Sequence, residues 1–272
     1  MDAAPIGIFD SGVGGLSVLR AIRSQFPCQP VIYFADQEHV PYGRRPLEEV
    51  RAFSEEITRF LLAQGARLVV VACNTASAAA LHALRGTFST VPFVGMEPAV
   101  KPAAEATHTG VVGVLATTAT FQSALYASVL ERFAAGVQVL QDPCPGLVSQ
   151  IESGDLDGPL TRQILTRALT PMLSAGIDTI VLGCTHYPYV IPVIQELAGP
   201  SVRVIDPAPS VARQAGRLLA ASGWLCQGGQ PAQPRFITSG APSAFTALLP
   251  LLLGETGSVE AVAWQSGRIT SA

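Results

Sequence analysis

Two short β-branched runs constrain this chain more than anything else in it, because each ends in a cysteine followed at once by hydrogen-bonding residues. The first is Leu68-Val69-Val70-Val71-Ala72, then Cys73-Asn74-Thr75-Ala76. The second is Ile180-Val181-Leu182-Gly183, then Cys184-Thr185-His186-Tyr187. Runs of this kind read as buried parallel strands, and the carboxyl ends of such strands are where open α/β sheets hold their ligands. One cysteine so placed is a candidate nucleophile. Two, from separate halves of one chain, point to a pair of thiols facing each other across a small substrate.

The rest of the chain alternates strand and helix around these runs. Ile6 to Phe9 is a strand that turns through Asp10-Ser11-Gly12-Val13-Gly14-Gly15 into a helix from about Leu16. Val31 to Ala35 is a second strand, and Val50, Phe53, Ile57, Phe60 and Leu61 fall at helical spacing within Leu47 to Ala63. Past Glu97 to Pro102 the plan repeats: Val111 to Leu115, then Ala116 to Thr120 opening a helix, and Ile177 to Leu182 leading to Cys184. The spacing from Asp10 to Cys73 is close to that from Thr117 to Cys184, an internal duplication. The expected fold is α/β: two similar, pseudo-symmetric α/β halves with mainly parallel sheets and the active site in the cleft between them. The first domain is expected over 1–97 plus 207–272, discontinuous in sequence, and the second over 98–206.

Composition removes several function classes. Hydrophobic residues make up 49% of the 272 and charged residues 14%, which fits a chain with a large core and argues against long disorder. The net charge of −3 and the lack of a dense basic stripe make nucleic acid an unexpected partner. No apolar run approaches the roughly 20 residues that span a bilayer, and Met1 to Asp10 has no signal-peptide pattern. No membrane association is expected. Five cysteines, scattered and odd in number, do not read as a disulfide framework, so a reducing interior and a cytoplasmic location are expected. Lys101 is the only lysine and has no phosphate-binding loop beside it, which argues against pyridoxal phosphate and its Schiff base.

Each candidate residue has a plainer reading beside it. A free cysteine is usually just buried; Cys73 and Cys184 stand out because both end strands before helix-start donors, where a thiolate is favoured. Asp10 to Gly15 lacks the P-loop ending and the dinucleotide glycine spacing. It reads either as a simple turn or as backbone brought close to a small ligand, with Asp10 and Ser11 presenting polar groups. Tyr42 and Gly43 lie in a turn-rich loop that offers N–H donors. Glu152 in isolation is an ordinary helix-end glutamate. His186, two residues past Cys184, is placed to relay a proton or to stabilise a thiolate.

Asp10 to Gly15, Pro41-Tyr42-Gly43, Ala72-Cys73-Asn74-Thr75-Ala76 and Gly183-Cys184-Thr185-His186-Tyr187-Pro188 together resemble the glutamate racemases of the aspartate/glutamate racemase family. The similarity runs in order from Ile6 to about Pro207, and His186 favours the glutamate enzymes over their aspartate relatives. The resemblance implies a cofactor-independent racemase of the two-base type, with no metal. Cys73 and Cys184 would flank the substrate α-carbon, with Asp10 assisting Cys73 while Glu152 and His186 serve Cys184. Substrate contacts would fall on Asp10, Ser11, Tyr42, Gly43, Asn74, Thr75, Thr185 and His186, with Thr117 and Thr120 near them. It further implies a small-molecule substrate, glutamate, a homodimer, and supply of D-glutamate for peptidoglycan synthesis. Three other readings remain open at this point: a four-ligand zinc site from Cys73, Cys184, His186 and Asp10, a thiol hydrolase using one cysteine with His186, and a binding module for an acidic amino acid.

Overall fold

The computed structural model describes residues 4–271. In chain order it runs β1 (Ile6–Asp10), α1 (Leu16–Gln25), β2 (Val31–Ala35), α2 (Leu47–Ala63), β3 (Leu68–Val71), α3 (Asn74–Thr87) and β4 (Phe93–Gly95). Next come α4 (Val100–Ala106), β5 (Val111–Ala116), α5 (Thr118–Phe121), α6 (Ala124–Phe133), β6 (Gln138–Asp142), α7 (Leu147–Glu152), α8 (Pro159–Ser174), β7 (Thr179–Gly183), α9 (Ile191–Ala198) and β8 (Arg203–Ile205). The chain ends with α10 (Ala208–Ala221), β9 (Arg235–Thr238), α11 (Pro242–Leu253), β10 (Val259–Gln265) and β11 (Arg268–Ser271). It divides into two units, one built from the chain through Met96 together with the stretch from Ala208 onward, the other from Glu97–Pro207.

In the first unit a seven-stranded sheet has the order β11-β10-β9-β2-β1-β3-β4. Every pair is parallel except the β10–β11 hairpin. The second unit holds a four-stranded parallel sheet, β6-β5-β7-β8. The order β2-β1-β3-β4 and the order β6-β5-β7-β8 are one plan used twice. The expected α/β class with repeated, mainly parallel halves is what the structure shows.

The elements follow from residue chemistry. Every residue of β3, Leu-Val-Val-Val, is fully buried, and β-branched side chains suit a pleated strand covered on both faces. Burying each such side chain contributes roughly 1.5–3 kcal/mol. Val50, Ile57 and Leu61 of α2 and Ala76, Ala80 and Leu84 of α3 pack in one cluster with Phe9, Val69 and Val71. A separate cluster in the second unit joins Val112, Val114, Tyr126, Val129 and Val181.

The cysteines depart from expectation. No disulfide framework is expected from the sequence, yet Cys28 and Cys226 form a disulfide across a sequence separation of 198. The bridge lies within the first unit, where α1 packs on α10 and brings the loops that follow the two helices together. Gln29 braces the same place: its Oε1 accepts from the Cys226 amide at 2.9 Å and its Nε2 donates to the Ala4 carbonyl at 2.6 Å. Spacing carried no sign of the pairing because it depends on helix packing. Cys73, Cys144 and Cys184 are buried and lie outside the disulfide.

Gly183 shows how tightly the central strands of the second unit approach. A Cβ there would stand 2.7 Å from the Ala116 Cβ and 3.3 Å from the Leu115 carbonyl oxygen, and both belong to the adjacent strand. Gly183→Ala is therefore expected to force β5 and β7 apart and to destabilise the protein by about 1–3 kcal/mol. Urea denaturation would measure this, and an unchanged midpoint would contradict the tight approach.

Candidate active site

In a parallel sheet of order 2-1-3-4 the chain reverses its direction of travel between the first and third strands, and the crevice outside their carboxyl ends is the ligand position. In the first unit that point lies between β1 and β3, and the backbone joins them there: the Ala72 amide donates to the Phe9 carbonyl at 2.8 Å. Asp10 and Ser11 thus leave β1 beside Ala72 and Cys73. Both Asp10 and Ser11 are buried. The Asp10 carboxylate accepts from the amides of Gly15 at 3.0 Å and Gly12 at 3.3 Å, which shapes the turn. Gly15 has to be glycine, since a Cβ would lie 2.8 Å from the Asp10 Cβ and 2.9 Å from the Tyr33 hydroxyl. That hydroxyl donates to the Gly12 carbonyl at 2.8 Å.

Cys73 is the N-cap of α3, in extended conformation, and its sulfur accepts from the Ala76 amide at 3.5 Å. Helix N-termini carry unsatisfied N–H groups and positive potential, so the sulfur sits against backbone donors. Asn74 and Thr75 follow, both buried. The Asn74 amide has neither its oxygen nor its nitrogen bonded to any described residue. Buried polar groups are almost always paired, yet this side chain beside Cys73 is a donor and acceptor without a partner among the described residues.

Tyr42 and Gly43 begin a 3-10 turn, Tyr42–Arg44, whose first amides have no partner inside the turn. The Tyr42 ring is buried, and its hydroxyl donates to the Asp36 carboxylate at 2.6 Å. Burial first, and then the Asp36 charge, push the phenol well above its ordinary pKa, with Cys73 and Asp10 adding to the effect. Asp10, Cys73 and the Tyr42 turn therefore share one neighbourhood in the first unit.

The second unit repeats the plan with different chemistry. Register pairs Ala116 with Gly183, so Thr117 leaves β5 beside Cys184. The Thr117 hydroxyl caps α5, accepting from the Thr120 amide at 3.3 Å and meeting the Thr120 hydroxyl at 2.9 Å. Cys184, Thr185 and His186 are all buried. The Cys184 sulfur lies 3.7 Å from His186 Nδ1, and His186 Nε2 lies 2.6 Å from Glu152 Oε1 at the end of α7. Glu152 is thus no plain surface glutamate. Burial opposes the imidazolium, but the bonds and negative charge of Cys184 and Glu152 outweigh it, and the His186 pKa is raised well above its usual value.

Laying Cys73 on Cys184 and following the strand registers sets Phe9 against Leu115, Asp10 against Ala116 and Ser11 against Thr117. The acid on the first strand has no counterpart in the second unit. There a carboxylate reaches the cysteine indirectly, from α7 through the imidazole. Sequence reading overlooked Asp36 and Tyr33, although Asp36 follows directly on the carboxyl end of β2, as Asp10 ends β1. Among the described residues no group of three or more His, Cys, Asp or Glu side chains is arranged to hold a metal ion, and no helix is long and apolar enough to cross a membrane.

A family model for Asp/Glu/hydantoin racemases matches residues 11–215. The chain belongs to that family. It is accordingly an isomerase, and the resemblance carried by the cysteine motifs holds over nearly the full length. A glutamate racemase from Pseudomonas aeruginosa is 54% identical, with 95% of this chain and 97% of the relative covered. Among solved structures, a glutamate racemase from Bacillus anthracis superposes with a TM-score of 0.88 at 34% identity, covering 98% of this chain and 100% of that one. The Escherichia coli glutamate racemase, solved with L-glutamate and the activator UDP-MurNAc-Ala, superposes with a TM-score of 0.84 at 30% identity, covering 96% and 98%.

The His186–Glu152 contact has a pH signature. Because the folded-state pKa of His186 is raised, its stabilising contribution is fully present below the unfolded value near 6.5 and is lost as pH rises through the folded value. Glu152→Gln is expected to cost about 2 kcal/mol at pH 6, with the gap to wild type shrinking toward alkaline pH. Urea denaturation of both proteins across pH 6–9 would test this, and a pH-independent gap would rule it out.

Proposed function

We propose that this racemase interconverts L- and D-glutamate without a cofactor, using Cys73 and Cys184 as the two bases. The observation that carries the reading is the repeat itself: each unit follows the third strand of its parallel plan with a buried cysteine outside any disulfide, with its own supporting groups. Inverting a stereocentre by proton transfer needs a base on one face of the α-carbon and an acid on the other, and the roles must exchange with direction. Two like side chains from two like half-sites meet that requirement.

In one direction the Cys73 thiolate removes the α-proton while the Cys184 thiol returns one to the opposite face; in the other direction the roles reverse. Asp10 assists proton movement at Cys73. His186, backed by Glu152, does so at Cys184, its imidazolium stabilising the thiolate and restoring the thiol. The α-proton is very weakly acidic, so the carbanion depends on preorganised donors. Ser11, Asn74, Thr75, Thr117, Thr120 and Thr185 supply such groups, and the Tyr42 and Gly43 amides suit a carboxylate. The glutamate named for the relatives, together with the unspent Asn74 amide, favours glutamate as the substrate. The enzyme would act in the cytoplasm as a homodimer, providing D-glutamate for peptidoglycan. A Cys28–Cys226 bridge is uncommon in so reducing a compartment.

Run in deuterated water from one enantiomer, the reaction is expected to give product labelled at the α-carbon early, with the remaining substrate almost unlabelled. Equal early labelling of both would argue against separate bases. Cys73→Ala and Cys184→Ala are each expected to lower kcat/KM for racemisation by at least about 10³-fold. Polarimetry on purified protein without added cofactor measures this, and near-wild-type activity in either variant would end the proposal.

A further inference from the structure

Asp36 has four side-chain donors and no exposure to solvent. Its carboxylate accepts from the Tyr42 hydroxyl at 2.6 Å, the Ser239 hydroxyl at 2.7 Å, the Trp264 indole N–H at 2.8 Å and His39 Nδ1 at 2.9 Å. Two carboxylate oxygens offer about four acceptor positions, so Asp36 is saturated. With all four partners donating, His39 carries its proton on Nδ1. The Asp36 amide donates to the Asp10 carbonyl at 3.0 Å, which fixes this hub to the end of β1.

The hub ties distant segments to one loop. Ser239 follows β9 and Trp264 belongs to β10, both from the C-terminal stretch, whereas His39 and Tyr42 belong to the loop between β2 and α2. The His39 ring stacks on Phe53 of α2, with centroids 3.9 Å apart and 14° between planes. Arg45 Nε donates to the His39 carbonyl at 2.6 Å, holding the far end of the loop. The Tyr42 hydroxyl is spent on Asp36, which leaves the main chain of Tyr42 and Gly43 as the part able to meet a ligand.

We propose that Asp36 is the positioning residue of the substrate loop: its buried carboxylate, held by Ser239 and Trp264, sets the Tyr42–Gly43 turn so that backbone amides, and not the Tyr42 hydroxyl, bind a substrate carboxylate. The proposal rests on the glutamate reading above and deepens it. It also gives the C-terminal strands a part in substrate binding, although they lie outside the chain's racemase-family match, 11–215.

The test is steady-state kinetics with glutamate on the full chain, wild type against Trp264→Phe, Ser239→Ala, Tyr42→Phe and Asp36→Asn. Trp264→Phe and Tyr42→Phe keep ring packing and remove one donor each, so they report on the hub even where Asp36→Asn fails to fold. Binding that is uniform through the reaction appears in KM and not in kcat. Each donor variant is expected to raise KM about tenfold with kcat within about threefold of wild type. Tyr42→Phe combined with Trp264→Phe should raise KM less than the product of the single effects, because both act through Asp36. Unchanged KM in Trp264→Phe and Tyr42→Phe, with racemisation intact in wild type, would overturn the proposal alone. A fall in kcat with KM unchanged would also overturn it, since the hydroxyl would then act in the chemistry. A wild-type chain that does not racemise glutamate would overturn the underlying reading and this proposal with it.

Discussion

The hydrogen-bonded pairing of the first and third strands is the constraint on which everything in each unit depends. A parallel ladder leaves little freedom of register once both faces are packed, because a one-residue slip would exchange the side chains that fit against the two faces. Phe9 opposite Val71, with the Ala72 amide bonded to the Phe9 carbonyl, therefore decides that Asp10 emerges beside Cys73. Leu115 opposite Leu182 does the same for Thr117 and Cys184. The chemistry-bearing residues come one or two positions after the last paired residue, so their placement is as fixed as the core. Gly15 and Gly183 show how little slack is left, since neither has room for a methyl group.

Within that shared frame the sulfurs are supported by different means. Cys73 caps a fourteen-residue helix and takes an amide N–H, a fixed dipole that neither gains nor loses a proton. Cys184 precedes a 3-10 turn, Tyr187–Val190, that runs into α9, and it meets an imidazole. An imidazole backed by a carboxylate is a mobile proton store, and its charge changes with pH. On the proposed two-base mechanism, equal thiols in unequal settings would make the two directions of proton transfer draw on different groups. The absence of an acid at Ala116, where its counterpart Asp10 is one, is the structural expression of this: the second unit routes its carboxylate through His186.

The sequence made the repeat, the strand ends and the cysteines legible because these features are local. Buried β-branched runs announce strands, and a cysteine at the end of such a run needs no knowledge of distant residues. Glu152 was readable only through the family resemblance, since its partner His186 lies thirty-four positions on and nothing near Glu152 marks it as more than a helix terminus. Strand β8 and the β10–β11 hairpin went unread for another reason. Their burial is mixed, so no clean alternation or apolar run marks them. The Cys28–Cys226 bridge and the Asp36 hub rest on contacts across about 200 positions, which no windowed pattern can register.

The two units also diverge at the outer side of the repeated plan, and that divergence explains why a hub exists in only one of them. In the second unit β6 is an edge strand with a partly exposed burial pattern, and register sets Cys144 at the place that Asp36 holds in the first. Cys144 stands at a φ of 42°, its amide bonded to the Asp142 carboxylate at 2.7 Å, so the chain there turns on itself. In the first unit β2 is not an edge. Strand β9 pairs with it and β10 pairs with β9, while Glu56 of α2 accepts from Arg268 at 2.8 Å and from the Ile269 amide at 3.2 Å, docking the final hairpin. Covering that edge removes a strand template open to aggregation and also delivers Ser239 and Trp264 to a carboxylate sealed from water. An unpaired carboxylate there would carry a large desolvation cost; four donors offset it, and two of them come from the C-terminal stretch. The tail that completes the sheet is therefore the same tail that makes a buried Asp36 tolerable, and with it a fixed Tyr42–Gly43 turn.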